Sequence, residues 1–218
     1  MNSILRRRRA LMGKSRKVAL ENVPVGALVL VDSDNFVNIG VVDGVSLLLR
    51  DMTLSSQRSM GKSSAGFYDY DSSTIDKYLT GTYYKSFDAK IKNRLVNTQI
   101  TYPASDGTDV VDKTISRKVF LPTSSQLGAS GEVTSALKIC KNTDNLYTAR
   151  IALRQTTSAA VLWWTMSAYS TNTYLVISDT GTVVQKGQDT GGVYVRPMLS
   201  MDKSVMTELQ NGVYVCKF

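Results

Sequence analysis

Between Trp163 and Pro197 the chain runs in apolar segments too short for helices, each ended by turn residues, and this pattern restricts the fold more than any other stretch. Trp163-Trp164 opens it, a polar loop around Tyr169 follows, and Tyr174–Ile177 and the residues after the Asp179-Thr180-Gly181 turn read as two short strands closed by Val193–Pro197. Such an order describes a compact antiparallel unit with a buried base and polar tips. It suits display better than a catalytic pocket.

The rest of the chain adds a meander and a helical segment. Ala27–Val31, Asn35–Val42 and Val45–Leu49 alternate as three consecutive strands, separated by Asp32-Ser33-Asp34 and Asp43-Gly44 turns. Ser72 or Ser73 is placed to cap a helix toward Leu79, and Phe87, Ile91 and Leu95 recur at helical spacing through Val96. Pro103 to Lys113 reads as a polar loop, Val119-Phe120-Leu121 as a strand, and Thr123 to Leu127 as a short capped helix. Tyr147 to Arg154 fits helix or strand equally well. The terminal Val213–Phe218 alternates as an edge strand, or as one lent to a neighbouring subunit. The fold class expected is α+β, antiparallel sheets with two or three short helices. The division expected is an arm over 1–21, a domain over 22–200 and an extension over 201–218.

A chain of 218 residues with 43% apolar side chains buries one good core, so a single main domain is expected. Its net charge of +8 resembles a nucleic-acid signal until it is located. Residues 1–17 hold Arg6, Arg7, Arg8, Arg9, Lys14, Arg16 and Lys17 with no acid, leaving 19 basic and 18 acidic residues for the remainder. Three readings of the arm stay open. A short block of like charge is a solvated tail. Alternatively Arg6 to Arg9, with Leu11 and Met12, anchor the chain in an acidic groove of a larger assembly. Third, the cations bind phosphates, although no aromatic interleaves with them. Lys14, Arg16 and Lys17 interrupt any secretory h-region, and the longest apolar stretches fall short of the roughly 20 residues of a membrane span. Membrane insertion is therefore not expected.

Histidine is absent, which removes Ser-His-Asp and Cys-His chemistry and every imidazole metal site. Asp69 with Asp71, and Asp106 with Asp109, are the available paired carboxylates, and both pairs sit in turn-like polar stretches that favour solvated or turn-capping acids. Asp32-Ser33-Asp34-Asn35 lacks the glycine and distal glutamate of an EF-hand. Neither an enzyme, a metal nor a cofactor is expected. Cys140 and Cys216 either form one bridge or stay free and buried.

Arg117–Leu121, Trp163-Trp164, Tyr174–Val176 and Val195-Arg196-Pro197 occur in the order of a Lys-Val-Phe-Leu strand, a Trp-Trp-Leu-Arg-Ser-Pro segment, a Tyr-x-Val strand and a Gly-Val-Arg-Pro close. With Ser73–Leu79, Tyr83, Phe87 and Ile91 upstream, the chain resembles the bacterial and phage proteins of C-type-lectin-like fold over residues 22 to 200. It departs at Thr165-Met166, where Leu-Arg is usual, and at Ala168, where Pro is usual, so the loop around Tyr169 is expected to be held differently. Calcium-lectin Glu-Pro-Asn and Trp-Asn-Asp motifs are absent, and any glycan would be bound without calcium. Formylglycine-generating enzymes share the fold and use active-site cysteines, but no second thiol lies near Cys140 or Cys216 in sequence.

The resemblance implies a surface-displayed component of a tailed-phage virion, and the Arg-Arg-Arg-Ala-Leu-Met opening is similar to those of small phage structural proteins. A tail-tip or baseplate adhesin is expected first, a capsid decoration protein second, and an arm-driven nucleic-acid binder third. Tyr169, Asn172, Tyr174, Gln188 and Asp189 are the expected ligand residues, since tyrosine rings stack on sugars while amides and carboxylates bond their hydroxyls. Other virion proteins at the arm, a host-surface glycan or protein at the loops, and further copies of the chain are the expected partners.

Overall fold

A computed structural model describes residues 17–61, 69–127, 152–153 and 159–218. The expected anchor, Arg6 to Arg9 with Leu11 and Met12, lies outside the described residues, as does Cys140.

Three strands follow the entry strand β1 (Lys17–Ala19): β2 (Leu28–Val31), β3 (Asp34–Val42) and β4 (Val45–Arg50). They form the expected meander, because Asp43 and Gly44 both take the positive φ that a tight hairpin between right-twisted strands demands. A bulge between Asn38 and Gly40 lets the Asn38 amide donate to Val23 O at 2.7 Å, which ties the preceding loop to the sheet.

The helical segment begins where Ser73 accepts the Asp76 backbone N–H at 3.0 Å, capping Thr74–Tyr78. It continues through a π-helical turn, Leu79–Tyr83, into Tyr84–Ser86. Phe87 then turns extended, and only Ala89–Lys92 is helical afterwards, so the expected helix from Phe87 to Val96 is one turn long. Phe87, Ile91 and Leu95 are nevertheless all buried.

Residues 103–113, expected as a loop, belong to a hairpin of β5 (Thr98–Ser105) and β6 (Val110–Arg117). After β7 (Val119–Phe120), Thr123 and Gln126 bond each other reciprocally, the Gln126 N–H to Thr123 Oγ1 at 3.0 Å and the Thr123 N–H to Gln126 Oε1 at 2.9 Å. This capping box sets a short 3-10 turn, Ser125–Leu127. Within Tyr147 to Arg154, Ala152–Leu153 (β8) is extended and pairs with β9 (Ala160–Val161); the remainder lies outside the described residues.

The C-terminal third supplies β10 (Trp163–Ser170), β11 (Thr173–Ile177) and β12 (Val183–Gly187) as one antiparallel sheet. Then come β13 (Met198–Asp202), β14 (Met206–Gln210) and β15 (Val213–Cys216). The main sheet has eight strands in the order β1-β14-β15-β2-β3-β4-β13-β7. β15 is thus no edge and is not lent elsewhere: it pairs antiparallel with β14 and parallel with β2, so both of its sides are satisfied within the chain. The fold is α+β and sheet-rich. Its core gathers Trp163, Trp164, Tyr70, Tyr102, Phe36 and Phe120, all with 2% exposure or less. Among the described residues no helix is long and apolar enough to cross a membrane.

Candidate functional site

Three loops meet at one end of the β5–β6 and β10–β12 sheets. In the first, the Asp106 carboxylate accepts the backbone N–H groups of Thr108 and Asp109, both at 2.8 Å, and these bonds hold its pKa below the ordinary value. Asp106 and Asp109 are therefore turn residues, with Gly107 supplying a positive φ of 94°. Ser105 Oγ donates to Thr171 O at 3.0 Å, joining this turn to the β10–β11 turn. The third loop attaches when the Gln188 N–H donates to Asn172 O at 2.9 Å. Backbone and short polar side chains thus lock all three together. A shallow cleft of ≈ 340 Å³ lies between the first two, lined by Thr108, Asp109, Val110, Tyr169, Ser170 and Thr171.

Of the expected ligand residues, Tyr169, 40% exposed, stands in this cleft, and Asn172 and Asp189 are exposed on the adjoining turns. Tyr174 and Gln188 are not surface residues. Tyr174 is fully buried, its ring edge-on to Trp164 at 6.4 Å, and burial drives its hydroxyl pKa up. Gln188 is 8% exposed and is held inside the fold. Thr108 escaped the sequence reading and Asp109 was read only as a turn acid, because the hairpin that carries them past Tyr169 pairs across residues that read as loop.

Behind the loops the framework is polar and buried. Trp163 and Trp164 are both core, and Trp164 Nε1 donates to Arg58 O at 2.6 Å. Asp69 is not a solvated acid: it accepts the Tyr70 N–H at 2.7 Å and the Tyr102 hydroxyl at 2.9 Å, while Lys113 Nζ lies 2.5 Å from it and 2.7 Å from Asp71. Burial raises the Asp69 carboxyl above its ordinary value of 3.8, against the pull of Lys113. Cys216 is free and buried, and burial pushes its thiol up to about 12. Among the described residues no group of three or more His, Cys, Asp and Glu side chains is placed to hold a metal ion.

Replacing Lys113 with methionine leaves the Asp69 charge buried without a cation and is expected to cost about 2 kcal/mol at neutral pH. An acid whose pKa is raised on folding binds more protons folded than unfolded, so stability falls as pH rises through that window. The deficit of the variant should therefore shrink on acidification, as the raised Asp69 carboxyl takes up its proton. Urea titrations of both proteins across that range check this, and a gap independent of pH would contradict it.

The geometry defines a class: a sheet-rich α+β domain whose rigid strands carry an exposed cluster of polar loops. The chain belongs to the family described as a domain of unknown function (DUF6273), whose model matches residues 43–203. No curated protein and no solved structure matches it. The matched segment contains the loop cluster, β4, β13 and β7, whereas β1, β2, β3, β14 and β15 of the same sheet lie outside it.

Proposed function

We propose that this protein is a surface-displayed recognition module of C-type-lectin-like fold on a tailed-phage particle, a tail-tip or baseplate adhesin that takes its ligand at the three-loop cluster. The observation that carries this reading is the exposed tyrosine between the Asp106–Asp109 and Thr171–Asn172 turns, the second of which is bonded to the Gln188–Asp189 turn. Loops pinned to one another and to rigid strands lose little entropy on binding, which is what a recognition surface requires. Tyr169 supplies an apolar face, and Asn172, Asp109 and Asp189 supply acceptors and a donor for hydroxyls. The ordered lectin-like motifs and the Arg-rich opening support the location on a virion.

The combined substitution Tyr169→Ala and Asn172→Ala is expected to weaken binding of the full chain to host cells or their extracted glycans by at least about tenfold. Its melting temperature should stay within about 2 °C of wild type, since both side chains are exposed. Unchanged binding would sink the assignment of the loops. Gold-labelled antibody on purified particles tests the location: label at the tail tip supports an adhesin, label over the head makes the protein a capsid decoration, and unlabelled particles refute the virion role.

A further inference from the structure

A second cleft, of ≈ 400 Å³, opens between the helical segment and the β6–β7 link, and it shares no residue with the loop cluster. Thr80 and Tyr84, one helical turn apart, form one wall; Ser116, Arg117 and Lys118 form the other, with Asn97 beside them. Arg117 is held in place by a two-pronged pair with Asp76, at 2.9 Å for each prong, so its positive charge is largely compensated. Lys118 differs. Its ammonium stands 5.7 Å from the centre of the Tyr84 ring, and no carboxylate of the described residues pairs with it. The side chains of Asn97 and Ser116 are exposed and make no hydrogen bond within the described chain. The near-neutral charge of the body conceals a local excess here: from Lys77 to Asn97 the chain carries Lys77, Lys85, Lys90 and Lys92 against Asp88, while Arg94 pairs with Asp202.

An aromatic wall, an ammonium above it and two hydrogen-bonding groups, none of them paired among the described residues, in a volume suited to one or two sugar rings, form a recognisable combination. We propose that this cleft binds an acidic saccharide, a sugar ring packing on Tyr84 with its carboxylate on Lys118 and its hydroxyls on Asn97 and Ser116. The nearby lysines add long-range attraction for a polyanionic glycan without contacting the bound unit. The site is separate from the Tyr169 cluster and stands or falls independently of it.

The test is a resonance-shift titration of the full chain with three probes: methyl β-D-glucuronide, methyl β-D-glucoside, which lacks the charge, and acetate, which lacks the ring. The glucuronide is expected to shift the amides of Thr80 to Tyr84 and Ser116 to Val119 with a millimolar Kd, at least about tenfold tighter than either control. Lys118→Gln should reduce glucuronide affinity to that of the glucoside, and Asn97→Ala, at an exposed position with no side-chain hydrogen bond to lose among the described residues, should weaken it severalfold. Tyr169→Ala should leave it unchanged, which separates this site from the loop cluster. Acetate matching the glucuronide would reduce the cleft to a bare anion site. The glucoside matching it would remove the role of Lys118, and no shift at about 20 mM glucuronide would end the proposal.

Discussion

Arg196→Ala is expected to lower the unfolding free energy by about 4 kcal/mol, more than removal of the cation from either Asp69 or Asp76. Arg196 is 1% exposed, yet its guanidinium donates to Arg50 O at 2.6 Å and Asp51 O at 2.9 Å and stands 5.0 Å over the Trp163 ring. Burial pulls its pKa down to about 9, still well above neutrality, so a full charge persists inside the core. Carbonyl dipoles and the indole face solvate that charge in place of water. Alanine would leave two inward carbonyls without these donors and open a void beside Trp163. The damage extends to Arg50, which spans from Asp34, at 2.7 Å and 3.0 Å, to the carbonyls of Met52 and Thr53. Lysine should recover less than half of the loss, because a point charge on a flexible stem cannot address two carbonyls and lie over a ring at once. Urea unfolding followed by tryptophan fluorescence reads the effect; a midpoint within error of wild type for Arg196→Ala would show that the carbonyls find other donors.

That buried arginine illustrates what the sequence could and could not disclose. Val195-Arg196-Pro197 is legible as a motif, but its partners lie 145 and 146 residues away, and nothing local marks the side chain as internal. The meander was readable because Asp43-Gly44 and the alternation around it are local signals. The β5–β6 hairpin was not: only Ile115 of β6 is buried, so its polar pattern is that of a loop, and its pairing with β5 is visible only in the fold. The spacing Phe87-Ile91-Leu95 demands three inward side chains, and a single helical turn flanked by extended residues meets that demand as well as a long helix does. β15 announced itself as a strand; its insertion between β14 and β2 is a matter of chain topology, on which alternation is silent. In the loop cluster, Tyr169 read as loop and Tyr174 as strand, a placement that already allowed Tyr174 to pack inward, and its edge-on contact with Trp164 puts it in the core.

Arg117→Ala is the second large effect, expected at about 3 kcal/mol at neutral pH. Arg117 ends β6, and its Nε and Nη2 meet the two oxygens of Asp76, whose side chain is only 4% exposed. The pair fastens the first turn of the helical segment to the hairpin, in the place where Ser73 also caps the helix. Burial raises the Asp76 carboxyl above its ordinary 3.8, with Arg117 opposing that rise. Without Arg117 the carboxylate faces the interior with no cation in contact, and its pKa climbs further. Because the folded state then binds a proton that the unfolded chain releases, the loss should diminish as the solution is brought down toward about pH 4. Asp76→Asn in the Arg117→Ala background removes the stranded charge and should restore stability, so the double-mutant cycle is expected to show a coupling of at least about 1.5 kcal/mol. Additive losses, or a deficit that persists unchanged in acid, would mean that solvent reaches Asp76 and that the hairpin is fastened elsewhere.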